Sequence, residues 1–227
     1  MTRISENLES VQTRVRQCGG EATPVRLIAV SKTKPAGVIC EAAQAGQQDF
    51  GENYLQEAVE KIEALKDLNL TWHFIGHLQS NKTRPVAEHF DWVHTLDRLK
   101  IARRLASQRP TSLPPLNVLL QLNYDDEATK SGCNPADLAL LAAQVAELEG
   151  LRLRGIMSIP APQSDPQKQL ETCRGVRLVF DELRKQFPDL DTLSLGMSAD
   201  LEAAIQAGST MVRVGTDIFG ARPQPEC

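Results

Sequence analysis

The sequence predicts an α/β protein, a single (β/α)8 barrel preceded by one extra helix. Strand-like and helix-like segments alternate, eight strand candidates can be counted, and 227 residues lies at the compact end of what eight such units need. Alternation of this kind implies parallel strands joined by helical crossovers, because parallel neighbours cannot be linked by tight hairpins. A doubly wound open sheet is the runner-up architecture.

Ile4, Leu8, Val11 and Val15 recur at helical spacing, so the chain opens with a leading helix over about residues 2–18, which Gly19-Gly20 ends. The strand candidates are VRLIAVS, QQDFG, LTWHFIG, DWVHTL, PLNVLLQLN, RLRGIMSI, LDTLSLG and TMVRVGT. The run Leu27, Ile28, Ala29 and Val30 in the first is apolar on both faces, as suits a strand covered by helices outside and packed core inside. Between the strands, Leu55, Val59, Ile62 and Leu65 make one helical stripe, and Leu138, Leu141, Val145 and Leu148 make another. Asn134-Pro135 and Asp165-Pro166 each place a capping side chain before a proline suited to the first helical turn. The helix opened by Asp165 buries Val176, Val179 or Phe180, Leu183 and Phe187, and Pro188 stops it. RPTSLPP and SIPAPQSDPQ are short enough to be loops, so residues 1–227 read as one domain.

A formal charge of -4 without a basic block argues against nucleic acid as a partner. The first ten residues, MTRISENLES, have neither the apolar core of a signal peptide nor the acid-poor composition of a transit peptide, and no segment reaches the length of a membrane span. Five dispersed cysteines without a C-x-x-C pair read as free thiols in a reducing compartment, so the expected location is the cytoplasm. His73 and His77 span a strand end and a loop, and His89 and His94 lack evident carboxylate or cysteine companions. All four histidines read as structural, and no metal site is expected.

In such a barrel the working face is formed by the loops at the carboxyl ends of the strands. Lys32 lies there, one residue beyond Ser31 and on the parity of Ile28 and Val30. Two readings are open: a solvated lysine at a strand end, or a desolvated amine able to condense with an aldehyde. After the seventh strand, Gly196 permits a tight turn and Ser198 can cap a helix that buries Leu201, Ala204 and Ile205. After the eighth, Gly215 allows close backbone approach and Thr216 adds a donor. Their joint placement suits a phosphate, although each half alone reads equally as an ordinary turn. Arg213 should point into the barrel with Met211, where it needs either a carboxylate or a ligand as partner. Asn53 either caps the helix beginning near Tyr54 or reaches a ligand.

The segments AVSKTKP, FGENYLQE, HFIGHLQSNK, SLGMSADLEAAI and VRVGTDIFGAR, in this order and across nearly the whole chain, resemble the pyridoxal 5'-phosphate homeostasis protein family. The resemblance implies an alanine racemase N-terminal type of barrel, fold type III, holding pyridoxal phosphate as a Schiff base. It implies that Lys32 takes the aldehyde, that Ser194, Gly196, Ser198, Gly215 and Thr216 surround the phosphate, that Arg213 stands near the pyridine nitrogen, and that Asn53 and Ser158 lie near the ring. The chain departs from the family pattern at Ala199 and His77.

An arginine against the pyridine nitrogen keeps that nitrogen unprotonated and weakens carbanion stabilisation. Racemases of this type also draw a second acid-base group from an additional β-domain, and this chain ends soon after its last strand. The expectation is therefore a monomeric carrier with no catalytic residues, one that binds pyridoxal phosphate reversibly, limits its free aldehyde and supplies apo-enzymes in vitamin B6 homeostasis. The alternatives are a weak amino-acid racemase, a Schiff-base aldolase using Lys32, and a regulatory module read by another protein. The charged loop NYDDEATKSGCNP after the fifth strand suggests a role for Lys130 in cofactor release.

Overall fold

The structure, a computed structural model, describes residues 2–19, 24–125 and 131–221. Eight parallel strands close a barrel in chain order: β1 (Arg26–Val30), β2 (Asp49–Glu52), β3 (Thr71–Phe74), β4 (Trp92–Leu96), β5 (Leu116–Leu122), β6 (Leu151–Ser158), β7 (Thr192–Ser194) and β8 (Met211–Val214). Closure is made by β8 on β1, with Leu27 beside Val212 and Ile28 beside Arg213. Each predicted strand segment overlaps one of these, β2 and β6 each running one residue beyond the segment, and closure excludes the open sheet. The helices are α1 (Arg3–Gly19), α2 (Ala36–Gln44), α3 (Leu55–Ala64), α4 (Thr83–His89), α5 (Leu99–Gln108), α6 (Pro135–Ala146), α7 (Pro166–Gln186), α8 (Leu201–Gln206) and α9 (Thr216–Phe219).

The two-residue strand period sorts side chains into two cores. Ile28, Trp92, Leu119, Met157 and Met211 pack together as one cluster inside the barrel. Their strand neighbours Leu27, Ala29, Val93, Ile156, Val212 and Val214 belong to the larger core under the helices, with Phe50, Ile39 and Phe180. Leu8, Val11 and Val15 of α1 join that outer core, as the leading helix requires. On β6 the register with β5 slips beside Gly155, whose φ of +153° and close approach to Thr192 leave no room for a Cβ, 1.8 Å from that carbonyl oxygen. This glycine lets β6 bend and bring Met157 into the barrel.

The helix starts differ in detail from expectation. Asp165 caps α7 by accepting from Gln167 N at 2.9 Å, but Asn134 makes no such bond at the start of α6. The capping position of α8 belongs to Asp200 and not to Ser198; its carboxylate turns back to accept from Met197 N at 2.6 Å, and Ser198 is left in the loop. Nor does Asn53 cap α3, which begins after Tyr54 without a side-chain cap. Among the described residues no helix is long and apolar enough to cross a membrane. Cys18, Cys40, Cys133 and Cys173 are free thiols, and burial pushes Cys133 and Cys173 up to about 11. Lys130 lies outside the described residues.

Candidate functional site

A cavity of about 310 Å³ opens at the carboxyl ends of the strands. Lys32, Asn53, Ser198, Arg213, Gly215 and Thr216 line it, against an apolar wall that includes Val30, Ile75, Met157 and Ile159. Six of the nine residues expected at the site thus meet in one place, drawn from the ends of four strands, β1, β2, β7 and β8. Ser158, Ser194 and Gly196 stand behind that lining, fully buried.

Lys32 is held by its neighbours in sequence. Ser31 continues the β1 ladder by donating its N–H to Gly51 O at 3.0 Å, and its hydroxyl donates to Glu52 Oε1 at 2.6 Å. Lys61, reaching inward from α3, donates to Ser31 O and to Glu52 Oε1, both at 2.8 Å, and to Glu57 Oε1. Glu57 in turn accepts from Thr33 N at 2.6 Å. Thr33 has φ +64°, a left-handed conformation that a β-branched residue adopts only when the surroundings enforce it. The residues on either side of Lys32 are therefore tied to one buried cluster of two carboxylates and an ammonium. Burial raises the Glu52 carboxyl above its usual range, against the opposing pull of Lys61 and Ser31. Lys34, the second lysine of the opening motif, is occupied elsewhere and donates to Phe219 O at 3.0 Å at the end of α9.

On the opposite side of the cavity Arg213 is buried on the inner face of β8, as parity predicts. It donates through Nη1 to Ser194 Oγ at 2.6 Å and through Nη2 to the Ser158 carbonyl at 3.1 Å. Its partners are thus a hydroxyl and a carbonyl. Desolvation lowers it to about 10, which leaves it cationic at neutral pH. Ser158 Oγ donates to Leu122 O at 3.0 Å, so this serine supports Arg213 through its backbone.

Asn53 follows β2, and its side-chain oxygen is buried with no hydrogen-bond partner. A buried acceptor left unpaired costs roughly 1–3 kcal/mol, and such an atom on a cavity wall marks a place for a donor. Gly76 makes the position possible, since a Cβ there would lie 2.1 Å from the Asn53 carbonyl oxygen.

Ser198, Gly215 and Thr216 form the third side. Gly196 turns the chain with φ +98°, and a Cβ on it would meet the Ala204 methyl at 2.5 Å. The N–H groups of the first turns of α8 and α9 lack intrahelical acceptors and favour an anion. Both loops are clamped from outside by α1. Arg14 donates to Glu202 of α8 at 2.8 Å, to Asp217 of α9 at 2.7 Å and to Ser198 O at 3.3 Å, while Asn7 donates to Ile218 O at 3.0 Å. The Arg14 guanidinium holds the Glu202 carboxyl below its ordinary range.

Reading from sequence missed Lys61 with its carboxylates, Arg14, and the partners of two histidines. His94 is fully buried with Nδ1 3.1 Å from Ser194 Oγ, and His73 is bonded to Asp49 at 2.9 Å. The signal was present: both histidines occupy inward parity on β3 and β4, and a polar ring inside a barrel requires partners just as Arg213 does.

The family model of the alanine racemase N-terminal domain matches residues 2–223. A pyridoxal phosphate homeostasis protein of Escherichia coli strain K12 is 57% identical over 229 positions, covering 98% of both chains. PipY of Synechococcus elongatus PCC7942 is 39% identical, and its structure without PLP superposes with a TM-score of 0.86 over 96% of this chain and 100% of that one. The same protein with PLP bound gives 0.84. An alanine racemase from Corynebacterium glutamicum, 17% identical with a TM-score of 0.72, shares the fold over 99% of this chain and 62% of its own. With barrel, site-bearing loops and full-length relatives in agreement, the chain belongs to the pyridoxal phosphate homeostasis protein family, built on the alanine racemase N-terminal domain.

Proposed function

We propose that this protein binds pyridoxal phosphate and acts in vitamin B6 homeostasis as a carrier with no robust turnover. The carrying observation is the unpaired, buried Asn53 Oδ1 on a cavity wall shared with Lys32 and Arg213. An acceptor, a primary amine and a buried guanidinium around about 310 Å³ fit an aromatic aldehyde that carries a phosphate. The cofactor supplies an aldehyde for covalent attachment and a ring nitrogen that can draw electrons. Lys32 would hold the cofactor through its aldehyde as a Schiff base, Ser198, Gly215 and Thr216 would receive the phosphate with Gly196 and Ser194 shaping the site behind them, Arg213 would meet the ring nitrogen, and Asn53 and Ser158 would lie near the ring.

The carrier reading is supported by the cavity's chemistry. Among the described residues that line it, Lys32 and Arg213 are the ionisable ones. Arg213 keeps its proton at neutral pH, so it stabilises a neutral ring nitrogen and gives little help to a developing carbanion. The relatives are named for homeostasis, which supports a protein that serves by holding the aldehyde and releasing it to apo-enzymes. It works as a monomeric single-domain protein of the cytoplasm.

The test is the absorption spectrum of the purified protein, followed by borohydride reduction and peptide mapping. A visible band that becomes a stable pyridoxyl adduct on Lys32, absent in Lys32→Ala, is expected, with no solvent deuterium entering the α-position of added amino acids. Deuterium incorporation at an enzyme-like rate would replace the carrier by a racemase. No band after adding pyridoxal phosphate would remove the cofactor altogether and favour an aldolase.

A further inference from the structure

The inner core of this barrel is apolar on one side and polar on the other. Ile28, Leu119, Met157 and Met211 fill one part with side chains of the kind that usually fill such barrels. Elsewhere an unbroken line of polar groups runs from Arg213, at the cavity, to Asp49, the first residue of β2 at the amino-end face. Ser194 Oγ lies 2.6 Å from Arg213 Nη1 and 3.1 Å from His94 Nδ1. His94 Nε2 lies 3.0 Å from His73 Nδ1, and His73 Nε2 lies 2.9 Å from Asp49 Oδ1. Ser194, His94 and His73 are fully buried. Burying three polar side chains where aliphatic ones would pack is costly without a return.

The ends of this line fix its direction. A guanidinium only donates, and an ionised carboxylate only accepts. Asp49 only accepts, so a neutral His73 carries its proton on Nε2 and accepts from His94 at Nδ1; a neutral His94 then carries its proton on Nε2, and its Nδ1 accepts from the Ser194 hydroxyl, whose oxygen in turn accepts from Arg213. With both imidazoles neutral this is the one assignment that gives every link a donor and an acceptor, whereas a cationic His73 would reverse the two links above it, because Ser194 Oγ has a second lone pair to accept with. Burial keeps them so: His94 also faces His73 and Arg213, which favour its neutral form, while His73 faces Arg26, which does the same, and Asp49 and Asp91, which pull the other way without outweighing burial, with Trp92 stacked on it at 5.6 Å. Both rings are accordingly held below their ordinary range.

We propose that Asp49, His73 and His94 are positioning residues for the ligand's ring: with Ser194 they form a one-way hydrogen-bond chain through the barrel that fixes the plane of Arg213 and so the donors it presents to a ring nitrogen. The proposal rests on the cofactor reading above. A guanidinium has five N–H donors, and the chain together with the Ser158 carbonyl holds two nitrogens of its fork, Nη1 and Nη2. Breaking the chain leaves the group charged but free to rotate. The loss should therefore fall on the atom that Arg213 meets, while the aldehyde and phosphate contacts survive.

Two measurements separate this from a purely structural role. In the ligand-free protein, long-range proton–nitrogen NMR of the imidazoles should show neutral rings with the proton on Nε2 in both His73 and His94. A proton on Nδ1 of either ring, or an imidazolium at neutral pH, overturns the chain whatever the ligand. Binding is then compared for pyridoxal phosphate and for its deaza analogue, in which carbon replaces the ring nitrogen. His94→Leu should weaken pyridoxal phosphate by about tenfold, and Asp49→Ala, more distant and partly exposed, by about threefold, with the deaza analogue bound as by the unaltered protein. Equal losses for both ligands, or none, would leave the chain as core packing and overturn the proposal. Should His94→Leu fail to fold, Asp49→Ala at the barrel's rim decides. An unaltered protein that binds neither ligand defeats the cofactor reading instead, and the tautomers then judge the chain alone.

Discussion

Replacing Lys61 by methionine would leave the Glu52 carboxylate buried without its cation and release the carbonyl of Ser31. Lys61 and Glu52 are 6% and 0% exposed, so solvent offers no compensation, and breaking such a pair costs about 3 kcal/mol. Lys61→Met should lower the thermal midpoint and, by freeing Ser31 and Thr33, slow the labelling of Lys32 by pyridoxal phosphate and borohydride. The double variant Lys61→Met with Glu52→Gln removes the stranded charge and should recover stability without recovering labelling; recovery of both would show that the cluster stabilises the fold without placing Lys32. Lys32 itself was legible because a charged residue at the end of a doubly buried strand stands out against its neighbours. Lys61 was not, because a lysine beside Ile62 on an amphipathic helix looks solvated until the carboxylate behind β2 is seen in three dimensions. Asn53 keeps two readings in the sequence for a related reason: a polar residue before a helix is usually its cap, and only the packing of Gly76 against the Asn53 backbone shows that the chain is committed elsewhere.

At the scale of elements, α1 does more than cover the barrel's amino-terminal strand. Its Arg14 joins the helices after β7 and β8, whose preceding loops face the proposed phosphate, through ion pairs whose side chains are 33% to 43% exposed. Exposed pairs of this kind contribute less than about 1 kcal/mol to stability each. Arg14→Ala should therefore leave the thermal midpoint nearly unchanged while weakening pyridoxal phosphate relative to pyridoxal, which lacks the phosphate. Equal weakening of both would assign Arg14 to general packing. The strands and this leading helix were readable because buried apolar positions repeat at fixed periods. The start of α8 was not, since Ser198 and Asp200 are both good capping residues and the choice depends on where Gly196 turns the chain.

For the whole molecule, the polar line through the barrel ties stability to pH in a direction that can be worked out. His73 and His94 are both held below their ordinary 6.5 by burial, whereas the unfolded chain protonates them near that value. Below pH 6.5 the unfolded state therefore binds more protons, and stability present above 6.5 is lost as the pH falls. Glu52 acts in the opposite sense, because its raised carboxyl takes up a proton in the native state first and adds stability as the pH falls toward 4.5. Two histidines against one carboxyl give a net loss between these values, each fully unmatched proton contributing about 1.4 kcal/mol per pH unit. The thermal midpoint of the ligand-free protein should fall from pH 7 toward pH 5. Glu52→Gln should steepen that fall, and His94→Gln, which keeps a donor and an acceptor at the same place, should make it shallower. A slope that His94→Gln leaves unchanged would mean that the His94 ring takes up its proton in the native protein as readily as in the unfolded chain, contrary to the one-way chain that ends on Asp49.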